Sequence, residues 1–201
     1  MKHSFLNNSL RLITKYNSSY SAEDIEKLQY GLEGLYLTIT KLFIIGILAF
    51  CLGIFKETVV VLILFNLIRY PAFGFHADKS RTCLIFSILV FIGIPLIMLH
   101  TTYEMPIKIL LSMFCLLGFC CFAPADTPKR PLSNAKKRKI RKIVSIVLAI
   151  LYILGILFIP NAMISDLLLT ALIIETIMIN PMTYRLFHQS FNNYKFYIPS
   201  N

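Results

Sequence analysis

The chain has 201 residues, 57% of them hydrophobic, and a formal net charge of +10 at pH 7; its mean hydropathy is +0.70. Its apolar runs are too long for the core of a soluble domain of this size, and continuous runs in a chain with no tryptophan argue against a β-barrel with alternating strands and aromatic girdles. The expected fold is all-α: a single polytopic membrane domain over residues 1–201, with six transmembrane helices preceded by an N-terminal amphipathic helical segment.

The cations are clustered, and no nucleic-acid-binding motif accompanies them, so topology explains them better than a nucleic-acid partner. Five cysteines stand at 51, 83, 115, 120 and 121. None forms a C-x-x-C pair, which argues against a disulfide framework, a bound metal or any cofactor held by thiolates. Four lie within apolar runs as small hydrophobes, whereas Cys83 follows a polar loop.

Residues 1–36 read as a membrane-surface segment, with Asn7, Asn8, Asn17 and Ser18 marking breaks. No removable signal peptide is evident. Ser21 followed by Glu23 and Asp24 reads as a helix start, and Ile25, Leu28, Leu32, Leu35 and Tyr36 share one face of the helix that feeds the first span. The spans are expected at about 37–55, 57–72, 83–99, 106–123, 143–160 and 164–180. Lys41 snorkels from the first; Arg69 and Pro71 end or kink the second near Tyr70; Pro95 kinks the third. The segment 124–142 reads as a loop holding eight of the twenty Lys and Arg residues, and 181–201 as a polar tail.

Six spans place both termini, the His76 loop, the 124–142 loop and the tail on one face with seventeen cations, leaving Lys56 and Lys108 on the other. The positive-inside rule makes the cation-rich face cytoplasmic. Two charges fall within spans, Lys41 and Glu175, at depths that suit a structural ion pair or a neutral Glu175 rather than a catalytic role.

The stretch Arg69 to Cys83 collects a cation, an imidazole, a carboxylate and a thiol. Asp78 or Ser80 can N-cap the third span, which places Cys83 in its first turn, where the helix dipole favours a thiolate. His76 can serve as base or ion-pair partner. On one straight helix seven residues would separate them by about 10.5 Å along the axis, too far for proton transfer, so the chain must bend. The Ala77-Asp-Lys-Ser segment before the span can supply the bend, and Gly74, between two phenylalanines, gives backbone freedom on the other side of His76. The local pattern alone equally fits His76 and Asp78 as ordinary loop residues, and Arg69 as a helix-end cation reaching for phosphate.

Three segments carry a resemblance: Tyr30-Gly-Leu-Glu; Arg69 with Gly74-Phe-His76-Ala and Cys83; and Ala123-Pro-Ala-Asp-Thr-Pro-Lys-Arg-Pro-Leu. In this order, with similar hydropathy between them, the chain resembles the AgrB family of membrane endopeptidases that process cyclic peptide pheromones in Gram-positive quorum sensing. The resemblance implies a cysteine endopeptidase in the cell membrane, with Cys83 as nucleophile, His76 as its partner and Arg69 as a functional position. The implied substrate is an AgrD-like propeptide, whose tail is removed through an acyl-enzyme thioester and whose core closes as a thiolactone or lactone. A homodimer is implied by the resemblance alone. The chain departs from the pattern at Phe73-Gly74-Phe75, where many members carry two adjacent glycines.

Lys129, Arg130, Lys136, Lys137, Arg138 and Lys139 then have two readings: attraction of the propeptide's acidic tail, or topogenesis with attraction to an anionic lipid bilayer. The competing function from another class is a non-catalytic peptide exporter or membrane scaffold, weakened by the lack of visible internal repeats. A metal-dependent intramembrane enzyme ranks last, because His76 and His100 fall on opposite faces.

Overall fold

The computed structural model describes residues 2–16, 20–75, 80–101, 103–127 and 131–196. The described residues form helices α1 (Lys2–Tyr16), α2 (Ala22–Cys51), α3 (Phe55–Ala72), α4 (Ser80–Ile88), α5 (Ile94–His100), α6 (Met105–Phe122), α7 (Ala135–Phe158), α8 (Ala162–Ile179) and α9 (Pro181–Leu186). The all-α expectation holds. Five helical stretches are long and apolar enough to cross a membrane: Asp24–Cys51, Thr82–His100, Met105–Phe122, Ala135–Phe158 and Ala162–Ile179. The expected sixth, at 57–72, is the helix α3, which matches them in length but carries Lys56, Glu57 and Arg69; the count by length and composition is therefore five.

Contacts divide the chain into two units, Met1–Leu48 and Ala49–Asn201. In the first, α1 runs unbroken through Asn7 and Asn8, where breaks were expected. Helix α2 opens as anticipated on Ser21. The Ser21 hydroxyl accepts from the Asp24 N–H at 3.2 Å and the Asp24 carboxylate accepts from the Ser21 N–H at 3.2 Å, a reciprocal cap. The Phe5 and Tyr36 rings meet at 5.3 Å.

The second unit is built around α8. Two thirds of this helix is buried, against at most one third of any other spanning stretch, and α3, α5, α6 and α7 all pack on it. Small residues permit the close approach: a Cβ on Gly118 of α6 would meet Thr176 at 2.9 Å, and one on Gly155 of α7 would meet Leu168 at 2.8 Å. The outward faces keep Ile63, Leu67, Leu110, Phe114, Leu151 and Leu154 exposed, as lipid requires.

Between α4 and α5 lies a π-helical turn, Leu89–Gly93, in which the Ile94 N–H bonds the Leu89 carbonyl. Pro95 lacks the N–H that would bond Phe91, so the distortion expected at the proline is taken up in the preceding turn. Helix α7 begins at Ala135, so Lys136 to Lys142 are helical rather than loop residues; Asn134 caps it by accepting from the Lys137 N–H at 3.1 Å. The tail folds as well. Asn180 caps α9, with Pro181 in its first turn, and Tyr184 is fully buried.

Candidate active site

The site end of the second unit is organised by the chain leaving α3. Phe73 has φ 64° and Gly74 φ 116°, which turns the backbone out of the helix. The Gly74 N–H donates to the Ala125 carbonyl, the Phe75 N–H to the Met178 carbonyl and the Ala125 N–H to the Ala72 carbonyl, at 2.8, 2.8 and 2.9 Å. Phe73 and Ala125 thus form an isolated parallel bridge. The backbone turns at Gly74, and the turn is fixed rather than free, since a Cβ there would lie 3.0 Å from Arg69 Nη1 and 3.2 Å from the Met178 carbonyl oxygen; the bend required between His76 and Cys83 falls at 76–79, outside the described residues.

Arg69 turns inward. Its Nη2 donates to the Phe75 carbonyl at 2.7 Å and, more weakly, to that of Gly74 at 3.4 Å; its Nη1 lies 3.5 Å from the Glu175 carboxylate; and its guanidinium covers the Phe65 ring at 5.2 Å. The helix-end, phosphate-seeking reading of Arg69 gives way to a structural one. Glu175, expected beside Lys41, has Arg69 as its charged partner.

Phe75 is buried among rings. It stacks on Phe187 at 4.5 Å and meets Phe86 at 5.8 Å and Tyr184 at 6.0 Å. Phe86 lies one turn after Cys83 on the same face of α4. Cys83 itself is the fourth residue of α4, partly exposed and not in a disulfide. Ser80, one of the two residues expected to cap this span, is already helical. His76, Asp78, Lys129 and Arg130 lie outside the described residues.

The Ala123-Pro-Ala-Asp segment is a hub that local sequence reading missed. The Tyr184 hydroxyl donates to the Ala125 carbonyl at 3.0 Å, and burial raises this phenol's pKa above its ordinary value, so it stays a donor. The buried Asp126 carboxylate accepts from the backbone N–H groups of Asn193, Tyr194 and Leu132 at 2.8, 2.8 and 3.0 Å. Beyond the segment's share in the family resemblance, a carboxylate beside prolines was the only local signal for it.

The basic run separates into two sets. Arg138 donates to the Leu132 carbonyl at 2.9 Å and covers the Tyr194 ring at 3.9 Å. Arg141, not singled out from sequence, donates to the Tyr70 carbonyl at 2.8 Å and covers Phe73 at 4.4 Å. Lys136, Lys137, Lys139 and Lys142 are exposed. Among the described residues, no group of three or more His, Cys, Asp or Glu side chains is arranged to hold a metal ion.

Apolar spans around a buried central helix, with one polar, knotted end, define an all-α polytopic membrane protein. Residues 6–179 match the family model described as accessory gene regulator B, and the chain belongs to that family. It is 32% identical over 186 residues to a putative AgrB-like protein of Listeria monocytogenes, covering 92% of this chain and 91% of the relative. It is 31% identical over 187 residues to one from Clostridium acetobutylicum, covering 90% and 87%. With the accessory gene regulator protein B of Staphylococcus aureus it shares 34% identity over 106 residues, covering 53% and 56%. No solved structure matches.

Proposed function

We propose that the protein is a membrane cysteine endopeptidase of agr-type quorum sensing. It removes the C-terminal tail of an AgrD-like propeptide at the cytoplasmic face, with Cys83 as nucleophile and His76 as its proton-transfer partner. The observation that carries this reading is the 5.8 Å contact between Phe75 and Phe86. It holds the residue before His76 against the residue one turn after Cys83. Family membership supports a role in agr-type processing, and Cys83, partly exposed near the described start of α4, is the candidate nucleophile.

The Cys83 thiolate adds to the carbonyl carbon at the cleavage point. The C–N bond breaks, the departing amine takes a proton from the His76 imidazolium, and the acyl group stays on Sγ as a thioester. A thiol or hydroxyl within the substrate gives its proton to His76 and attacks the thioester carbonyl, closing the ring and releasing the Cys83 thiolate. Ring closure is intramolecular, so effective concentration favours it over hydrolysis. The exposed Lys136, Lys137 and Lys139 attract the acidic tail, and the same charges favour an anionic lipid surface.

The test uses the full chain in liposomes with a tagged AgrD-type propeptide. Cys83→Ser and His76→Ala each abolish tail release, and a hydroxylamine-labile acyl-enzyme forms only when Cys83 is present. Continued cleavage in both variants overturns the peptidase reading and leaves an exporter or scaffold.

A further inference from the structure

We propose that Glu175 is a positioning residue of the active site, acting through Arg69 on Phe75 and so on the wall against which α4 presents Cys83. The inference rests on the reading of Cys83 and His76 as the catalytic pair. Glu175 is fully buried in α8, the innermost helix, at a depth where a carboxylate is expensive to keep. Its contact with Arg69 Nη1, at 3.5 Å, is an ion pair, and among the described residues neither carboxylate oxygen meets hydrogen-bond geometry. A loosely bonded buried pair is a poor source of stability, since apolar side chains of similar volume serve as well or better.

The pair does hold one thing in place. Arg69 reaches the Phe75 carbonyl at 2.7 Å through Nη2, while the Phe65 ring lies against its guanidinium at 5.2 Å. On the other side of the same residue, the Phe75 N–H is bonded to the carbonyl of Met178, three residues after Glu175 on α8. Helix α8 therefore grips Phe75 at both its amide and its carbonyl, the second time by way of Glu175 and Arg69. The Phe75 ring, oriented by this grip, packs on Phe86 at 5.8 Å, one turn from Cys83. Pulling Glu175 away leaves Arg69 free to turn from the Phe75 carbonyl toward water, and Phe75 loses the constraint that sets it against α4.

The experiment needs no substrate. The full chain in liposomes is alkylated with iodoacetamide across a pH series, and the rate at Cys83 is read by mass spectrometry of the peptide that contains it. Three variants are compared with wild type: Arg69→Gln with Glu175→Gln, which removes both charges and leaves neither buried without a partner; Glu175→Asp, which retracts the carboxylate by one methylene; and His76→Ala. The double variant keeps a thermal midpoint close to wild type, yet its alkylation inflection moves upward by about half a pH unit or more, in the direction of His76→Ala, because the thiolate loses its cationic partner. Glu175→Asp gives an intermediate shift.

A wild-type inflection in the folded double variant overturns the proposal while leaving the catalytic pair intact. If the double variant does not fold, a wild-type inflection in folded Glu175→Asp does the same. An inflection unmoved by His76→Ala overturns the pairing of His76 with Cys83 instead.

Discussion

Gly74 is where conformation and space both exclude a side chain. Its φ of 116° lies in a region L-residues rarely occupy, and an added Cβ would meet Arg69 and the Met178 backbone at 3.0 and 3.2 Å. Gly74→Ala should lower stability by roughly 1–3 kcal/mol, checked by thermal unfolding in detergent, with tail release lost alongside. Asp126 is the second such residue. Its two carboxylate oxygens accept three backbone N–H groups, whereas an asparagine offers one acceptor oxygen and would point an amide at the remaining donors. Asp126→Asn should destabilise by about 2–3 kcal/mol, visible as a lower unfolding midpoint and faster proteolysis near residues 127–134.

At the scale of elements, the split within the α7 run matters most. Arg138 and Arg141 tie α7 to the tail and to the end of α3, so removing them tests the fold rather than the substrate. Changing Lys136, Lys137 and Lys139 together to Gln should leave the unfolding midpoint unchanged and raise KM for the propeptide several-fold with kcat little altered. An unchanged KM would leave these lysines to lipid and topology. The spans were legible because apolar runs of lipid-crossing length are a local signal, and the cap at Ser21 was legible for the same reason. The start of α7 was not, since a run of cations after prolines looks like loop, although Asn134 three residues before Lys137 is an ordinary cap signal. The site itself was half legible. The turn at Gly74 follows from its neighbours in sequence, whereas the pairing of Asp126 with Asn193, or Arg69 with Glu175, joins residues far apart in the chain.

Across the whole second unit, charges concentrate at two ends of the bundle. The end with Arg69, Asp126, Arg138 and Arg141 is the candidate site. At the other, Lys108 of α6 pairs with Asp166 of α8 at 2.7 Å and reaches Ser165 at 3.3 Å. This second pair fastens the site-distal ends of α6 and α8 while the knot fastens the other end. Lys108→Met alone leaves Asp166 mostly buried without its cation and should destabilise by roughly 3 kcal/mol, whereas Lys108→Met with Asp166→Leu should recover most of that. The pair of unfolding midpoints checks it.

The Asp126 cage also sets an order of events during synthesis. Asn193 is made 67 residues after Asp126, so at ordinary elongation rates the carboxylate waits roughly 3 to 13 s for its partners. Until then the 123–132 segment, which braces Gly74, has no tail to hold it. A nascent chain that has not yet reached Asn193 thus carries its spans and Cys83 while the candidate site is still unbraced.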